Sequence, residues 1–277
     1  LALADEAVAL NARNYARLAE LQAQAASGKR VTRPSTDPAA AGRALNLKST
    51  LAANETYLQN IASASEWLAA GEAALSAVTA ILGRALKDAR TGASDTLGAE
   101  ERAGLAQHVD GLLTEALAQW NAKHRGAYLF AGFKTTSAPF VPSGAPVASV
   151  SYAGDSGLRV VETEPGQTVA VNATGGAMTS AVFTALISLR DALNANDTAA
   201  IAGGIGEVQA ALEGVLDTAA DFGTRQQRLA TTRARLEEVQ LGLRDFLSRT
   251  EDAALAETIV RLKEQETVYE ASLQTSA

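Results

Sequence analysis

Residues 27–45 read SGKRVTRPSTDPAAAGRAL, a short basic segment that separates two helical patterns. Gly28 suits the C-terminus of the first helix, because glycine adopts the left-handed conformation that ends many helices. Pro34 and Pro38 hold the chain between the helices extended. Asp37 is a good N-cap for the second helix, with proline in the first helical position. The segment therefore predicts an ordered, positively charged turn between two helices.

The composition narrows the class of protein. Of the 277 residues, 47% are apolar but only 5% are aromatic, so the apolar content is mainly Ala, Leu and Val and favours closely packed helices. The absence of cysteine excludes disulfides, thiolate catalysis and thiolate metal sites. A formal net charge of -7 argues against a general nucleic-acid binder, since such proteins neutralise phosphates.

Membrane and export signals are absent from the sequence as it stands. There is no run of 18 apolar residues and no secretory signal peptide, so we expect no membrane partner. The chain starts at Leu1 rather than Met and ends at Ala277 inside a helical pattern. We expect both ends to be trimmed, so the sequence does not decide whether a targeting segment precedes Leu1.

Apolar positions spaced by three and four predict a long amphipathic helix over residues 40–91. Gly98 followed by Glu101 marks the start of a second helix, whose apolar stripe runs to Trp120. The short loop between the two helices predicts an antiparallel hairpin.

The pattern changes to short apolar runs separated by Pro, Gly and Ser between residues 126 and 175, which predicts a small antiparallel β insert. The predicted strands are Tyr128 to Phe130, Val147 to Tyr152, Leu158 to Val161 and Thr168 to Val171. Turns are expected at Gly154 to Gly157 and at Glu164 to Gly166.

Helical spacing resumes after Gly176, stops at residues 194–197, and continues from Ile201 to Leu273 with Gly223 as a candidate kink. The stripe of Leu3, Leu10, Leu18 and Leu21 is too narrow to bury itself, and the stripe of residues 229–273 has the same deficiency. Each is the natural partner of the other, which predicts a coiled coil joining the two ends of the chain.

These elements predict a mainly α protein with a small antiparallel β insert, arranged as an elongated helical rod. Residues 1–45 with 215–277 form the terminal coiled-coil region. Residues 46–125 with 176–214 form a helical core, and residues 126–175 form the β-rich insert.

Four stretches resemble the flagellin superfamily, and in particular its hook–filament junction proteins. They are RPSTDP at residues 33–38, GAYLFAGF at 126–133, YAGDSGLRVVETEPGQTVAVN at 152–172, and the helical return path formed by Phe183 to Leu193 and the Gln- and Arg-rich helix from Thr224. Together they span nearly the whole chain in the order that the family shows. Family members usually extend further at both ends with apolar segments, which are missing here.

The resemblance implies an elongated flagellin-like fold and a structural, non-enzymatic subunit without cofactors, which stacks helically at the junction between flagellar hook and filament. It also implies passage through the flagellar type III channel and an extracellular location in the bacterial flagellum. The expected partners are a neighbouring hook-associated protein, flagellin, further copies of the chain and an export chaperone. The alternatives are flagellin itself and, from another class, a coiled-coil signalling hairpin.

The basic turn is the candidate assembly interface, where charged and proline-fixed residues set the register between subunits. The candidate residues are Lys29, Arg30, Arg33, Pro34, Ser35, Asp37 and Pro38. The alternative is a solvated loop.

Other motifs carry little chemistry. Gly154-Asp155-Ser156-Gly157 matches the surroundings of a protease nucleophile, but a nucleophilic serine needs a base and an orienting acid, and the turn reading is favoured. His108 and Asp110 lie two apart on a predicted helix, so they point in different directions and no metal site is expected. His124, beside Lys123 and Arg125, is expected at a cationic helix end. The glycines at residues 203–206 lack the flanking residues of a phosphate loop.

Overall fold

A computed structural model describes residues 2–173 and 175–276. Helices dominate, and the strands form small antiparallel pairs, so the expected fold class is confirmed. The helices are α1 (Ala2–Ser27), α2 (Pro38–Gly92), α3 (Ala99–Trp120), α4 (Gly176–Asn194), α5 (Thr198–Glu251) and α6 (Leu255–Ser276). The strands are β1 (Lys123–His124), β2 (Ala127–Tyr128), β3 (Phe140–Ser143), β4 (Ser149–Tyr152), β5 (Val160–Glu164) and β6 (Gln167–Ala170).

The chain divides into two compact units. Unit 1 comprises the residues up to Thr56 together with those from Arg235 onward, and unit 2 comprises Tyr57–Ala234. Helices α2 and α5 contribute residues to both. The finer division into a terminal region, a helical core and an insert stays a prediction.

In unit 1 the N-terminal helix packs beside the C-terminal helix, as their apolar stripes predict. The Gln265 side chain donates to the Asn14 carbonyl at 3.4 Å, and the rings of Tyr15 and Tyr269 lie 5.9 Å apart. Gln265 lies beside Asn14, whereas Ala253, just before α6, lies beside Gly28 at the end of α1, so α1 and α6 run antiparallel. Leu18 of the stripe is 9% exposed. The side chain of Leu3 lies outside the described residues.

The C-terminal helical region differs from its prediction in two ways. Helix α5 continues through Gly223, because the neighbouring Phe222 is 1% exposed and its packing offsets the cost of glycine. The region breaks instead at Asp252–Ala254, between α5 and α6. Because of this break, the C-terminal stripe is divided between two helices, and α6 is the one that packs beside α1. The end of α5 packs on α2, where Asn54 donates to the Leu236 carbonyl at 2.9 Å.

Helices α2 and α3 of unit 2 form the predicted antiparallel hairpin. Arg84 lies 2.5 Å from Glu115, and Asp88 lies 2.5 Å from His108, so residue numbers fall along one helix as they rise along the other. The hairpin is lined by the expected stripe, since the buried side chains include Ile61, Leu68, Leu75, Leu82, Val109, Leu112, Ala116 and Trp120.

The predicted helix boundaries of unit 2 are confirmed by their hydrogen bonds. The Gly98 amide donates to the Glu101 carboxylate at 2.5 Å, and the Arg102 amide donates to the Gly98 carbonyl at 3.1 Å. Helix α5 starts after Asp197, whose carboxylate accepts from the Ala199 and Ala200 amides at 3.0 Å each. The carboxylate therefore satisfies donors that a helix N-terminus leaves unpaired.

The insert contains three strand pairs, β1 with β2, β3 with β4, and β5 with β6. The Glu164-Pro165-Gly166 turn joins β5 to β6 as predicted, and Gly166 has a φ of 72°. The predicted strand at Tyr128 to Phe130 is shorter than expected. Only Ala127–Tyr128 pairs, while Leu129 and Phe130 are buried, which explains their apolar character.

An aromatic cluster joins the insert to the helices. The ring of Phe140, on β3, lies 6.0 Å from Trp120 on α3, 5.7 Å from Phe183 on α4 and 5.2 Å from Tyr152 on β4. The Asn121 side chain donates to the Phe140 carbonyl at 2.8 Å and accepts from its amide at 3.0 Å. The β insert is therefore part of the core of unit 2.

Two helices, α2 and α5, are long and apolar enough to cross a membrane by length and composition, each with an 18-residue window of mean hydropathy 1.2. Composition therefore does not exclude a span, contrary to the expectation from the sequence. This signal is weak, because the core helices of soluble proteins pass the same test. In α2, Ile61, Leu68 and Leu75 are fully buried in unit 2.

Candidate assembly surface

The turn between α1 and α2 is held by the connection between α5 and α6. Helix α1 ends at Ser27, and Gly28 follows with a φ of 67°, as the sequence predicts. The Gly28 carbonyl accepts from the Ala253 amide at 2.9 Å, and the Arg30 amide donates to the Glu251 carbonyl at 2.7 Å. These bonds form a single β-bridge, so the two connections of unit 1 order each other.

Two of the candidate cations are committed to contacts inside the chain. Lys29 Nζ lies 2.7 Å from the Asp252 carboxylate and 3.7 Å from that of Glu251. Arg30 donates to the Thr250 carbonyl at 2.9 Å and lies 3.5 Å from Asp37. The hydrogen bond to Asp252 raises the pKa of Lys29, and the same bond lowers the pKa of Asp252. These two side chains therefore stabilise the turn and have little charge left for a partner.

Asp37 and Pro38 have the helix-starting role that the sequence predicts. The Asp37 carboxylate accepts from the Ala40 amide at 2.9 Å, and its carbonyl accepts from the Ala41 amide at 2.9 Å. The bond from Ala40 lowers the pKa of Asp37. Pro38 is the first residue of α2. Both residues set the direction in which α2 leaves the turn.

Arg33, Pro34 and Ser35 are exposed, together with the neighbouring Thr36. The Arg33 carbonyl accepts from the Thr36 amide at 3.1 Å, which closes the turn. Within the described part of the chain, the Arg33 guanidinium makes no ion pair. It lies between two hollows of unit 1, one of about 150 Å³ on the α2 side and one of about 280 Å³ on the α1 side. The ordered backbone of the turn therefore holds the unpaired Arg33 cation between these two hollows.

Apolar side chains are exposed around this turn. Leu45, which lines the smaller hollow with Pro34 and Ala41, is 69% exposed. A further hollow of about 380 Å³ in unit 1 is lined by Leu47 and by Phe246, which is 60% exposed. An exposed cation with neighbouring apolar surface is the composition of a protein–protein interface.

The sequence reasoning missed the acidic partners of the turn. Glu251 accepts from Lys48 at 2.8 Å as well as lying near Lys29, so both Glu251 and Asp252 belong to the same cluster. The signal for this cluster in the sequence is the adjacent acidic pair Glu251-Asp252, which complements the adjacent basic pair Lys29-Arg30. Their juxtaposition required the break between α5 and α6, which no Gly or Pro marks.

The remaining chemical motifs take structural roles. Asp155 accepts from the Phe133 and Gly157 amides at 2.8 Å each, and the bond from Phe133 is the main cause of its lowered pKa. Asp155 therefore ties two loop segments together. The glycines at residues 203–206 lie inside α5.

The histidine predictions have different outcomes. His108 contacts Asp88, whereas Asp110 contacts Arg190 at 3.0 Å, so the pair diverges as expected. Among residues 2–173 and 175–276, no group of three potential metal ligands comes together. His124 is not at a helix end, because α3 stops at Trp120 and His124 is the last residue of β1.

Comparison with known proteins finds similarity to flagellar proteins. Residues 1–135 match the model of the bacterial flagellin N-terminal helical region. A curated relative, flagellar hook-associated protein 3 of Salmonella typhimurium, is 31% identical over 157 residues, which is 56% of this chain and 48% of the relative. The Escherichia coli protein of the same name is 36% identical over 118 residues, covering 42% of this chain and 37% of that protein. These matches cover part of the chain and support a relationship to the flagellin superfamily.

A solved flagellin-superfamily structure, the flagellar junction protein FlgL from Legionella pneumophila, supports the same fold. It has a TM-score of 0.63 at 16% identity and covers 77% of this chain and all of that one. The present chain spans about half or less of the curated relatives it matches. The flagellin family is structural rather than enzymatic. The segment Gly154 to Gly157, predicted as a β-turn, instead forms an irregular stretch between β4 and β5.

Proposed function

We propose that this chain is a structural subunit of the bacterial flagellum at the junction between hook and filament. The observation that carries the proposal is its similarity to two proteins named flagellar hook-associated protein 3, together with its fold likeness to a flagellar junction protein. The exposed apolar side chains of unit 1, including Leu45, Leu241 and Phe246, supply surface for packing against other subunits.

The proposed partners follow from a position between two tubes. A neighbouring hook-associated protein lies on the hook side, flagellin lies on the filament side, and further copies of the chain lie around the ring. The subunits stack helically after export through the flagellar type III channel, with an export chaperone holding the chain beforehand. Two features suit passage through a narrow channel, namely the absence of cysteine and the predominance of helices with local contacts.

The proposed contact surface is the turn at Lys29, Arg30, Arg33, Pro34, Ser35, Asp37 and Pro38. Within it the roles divide. Arg33, Pro34 and Ser35 face solvent and meet a carboxylate and an apolar side chain of the adjacent subunit. The other residues of the turn hold this part in position through the connection between α5 and α6.

The second candidate is flagellin, the filament subunit, which the match to the flagellin N-terminal model favours equally. The two functions differ in where the protein lies. Immunogold electron microscopy of isolated flagella, with antibody raised against this chain, tests them. A narrow band where hook meets filament supports the junction function. Label along the whole filament supports flagellin, and flagella without label would overturn both.

A further inference from the structure

A second recess lies wholly within unit 2, away from the turn just described. It has a volume of about 310 Å³ and is formed by α2, β1 and β5 with the loops beside them. Its functional groups are Trp67, His124, Arg125 and Arg159. A recess of this size is at the small end of the range for ligand pockets. We refer to it as the Arg159 recess.

Arg159 is held in place but lacks a hydrogen-bond acceptor for part of its side chain. Its guanidinium carbon lies 4.1 Å from the centre of the Trp67 ring, and its amide donates to Asn172 Oδ1 at 2.8 Å. Among the described residues, its buried Nη1 has no hydrogen-bond partner. A buried N–H without an acceptor is costly, so an acceptor that reaches the guanidinium would relieve this cost.

Positive charge in the recess exceeds the negative charge beside it. Arg125 lies 2.6 Å from Glu66, and His124 lies 3.9 Å from the same carboxylate. No ion pair of Arg159 occurs among the described residues, so the Glu66 carboxylate balances Arg125 while Arg159 keeps its charge unpaired. The Arg159 recess therefore favours an anion.

The remaining wall is mostly apolar, with the polar residues Asn60 and Ser63 at one part of it. Ala64 is 1% exposed and Val171 is 3% exposed, and Ala127 and Val161 complete the lining. An apolar wall disfavours a fully hydrated inorganic anion, because the anion would lose hydration without gaining contacts. We propose that the Arg159 recess binds a small organic carboxylate, with its charged end at Arg159 and Arg125 and its apolar end against Ala64 and Val171.

The test is a titration of the full chain followed by NMR of the indole N–H groups. The chain has two tryptophans, of which Trp67 lines the recess and Trp120 is 0% exposed in the aromatic cluster. Butyrate is the probe, and butyramide is its neutral control of the same length. Inorganic phosphate is the control for a general anion. We expect butyrate to shift the Trp67 resonance, butyramide to leave it in place, and phosphate to bind more weakly.

Two variants of the recess should change the affinity for butyrate in opposite directions. Arg159→Gln should weaken butyrate binding about tenfold or more, the effect of losing one charged hydrogen bond. Glu66→Gln releases Arg125 and should tighten binding by roughly twofold to fivefold. Arg84→Gln removes an exposed arginine paired with Glu115 outside the recess and should change nothing.

Three results would overturn the proposal. These are no shift with butyrate at tens of millimolar, an equal response to butyramide, or an equal or stronger response to phosphate. If Arg159→Gln does not fold, Arg125→Gln replaces it, because the Arg125 side chain is 68% exposed and its loss leaves the core intact. Butyrate binding unchanged by Arg125→Gln would count against the proposal as well.

Discussion

Replacement of Phe140 by alanine tests whether the β insert belongs to the core of unit 2. Phe140 is 2% exposed, and its ring contacts aromatic side chains from α3, α4 and β4. Truncation leaves a cavity that the surrounding rings of Trp120, Tyr152 and Phe183 cannot fill without moving. A buried Phe→Ala change in such a site costs about 3–5 kcal/mol in the free energy of unfolding.

The expected fall in melting temperature follows from this cost. A change of 1 kcal/mol lowers the midpoint by about 2–4 °C in a domain of this size, so Phe140→Ala should lower it by roughly 6–20 °C. Val141 provides a matched control, because it is the next residue of β3 and is 45% exposed. Val141→Ala should cost about 0.5 kcal/mol or less.

Tryptophan fluorescence during thermal unfolding is the appropriate assay. Both tryptophans, Trp67 and Trp120, lie in unit 2, so the signal reports that unit without interference from unit 1. If Phe140→Ala melts within a degree or two of Val141→Ala, the aromatic cluster does not join the insert to the helices. The reasoning about the core would then be wrong.

This result also bears on deletion of residues 140–172. The resemblance to the flagellin superfamily predicts that the insert faces outward and that its removal spares assembly more than removal of the chain ends does. The structure changes the expected outcome, because the deletion also removes the buried Phe140, Val169 and Val171. We therefore expect the deletion to destabilise unit 2. An assembly defect in that deletion would have to be separated from misfolding by circular dichroism.

The remaining predictions concern the turn. Arg33→Glu should change the free energy of unfolding by no more than about 0.5 kcal/mol in thermal melts. The same variant should impair junction assembly in electron microscopy of complemented flagella, and normal junctions would contradict the proposed surface. Lys29→Glu should instead destabilise unit 1 by roughly 1 kcal/mol, a figure limited by solvent screening of its partly exposed pair with Asp252. The lowered pKa of Asp37 means that its stabilising effect is present above its unfolded pKa and is lost as the pH falls through its folded pKa. Asp37→Asn should keep the N-cap but remove that pH dependence, whereas Asp37→Ala should lose both in circular-dichroism melts; equal melts for the two variants would show that the cap does not matter.

Local signals explain why most helix boundaries were predictable. Gly28 ends α1, and the carboxylates of Glu101 and Asp197 accept amide hydrogen bonds at the starts of α3 and α5. Each of these bonds joins residues within four positions of each other. Such bonds depend on neighbouring sequence only, so the residue types that make them are visible in the chain. The same reasoning identified Asp37 and Pro38 at the start of α2.

The break between α5 and α6 could not be predicted, because its cause is not local. Residues 253 and 254 are both alanine, the strongest helix former, and neither Gly nor Pro occurs there. The helix stops because the Ala253 amide donates to the Gly28 carbonyl across the unit, and the Glu251 carbonyl accepts from Arg30. The contact between the Arg159 guanidinium and the Trp67 ring is also long-range, so it could not be predicted from the sequence either.

The break between α5 and α6 also determines what the turn can offer a partner. The acidic residues beside it engage Lys29, and its carbonyls engage Arg30, so these two cations are neutralised or hydrogen-bonded within the chain. A free loop would expose all its charges but would lose conformational entropy on binding. Here the intramolecular bonds order the backbone first and leave Arg33 exposed at its centre. Substitution of Asp252 should therefore weaken the proposed surface indirectly, although Asp252 contacts no partner in the proposed arrangement.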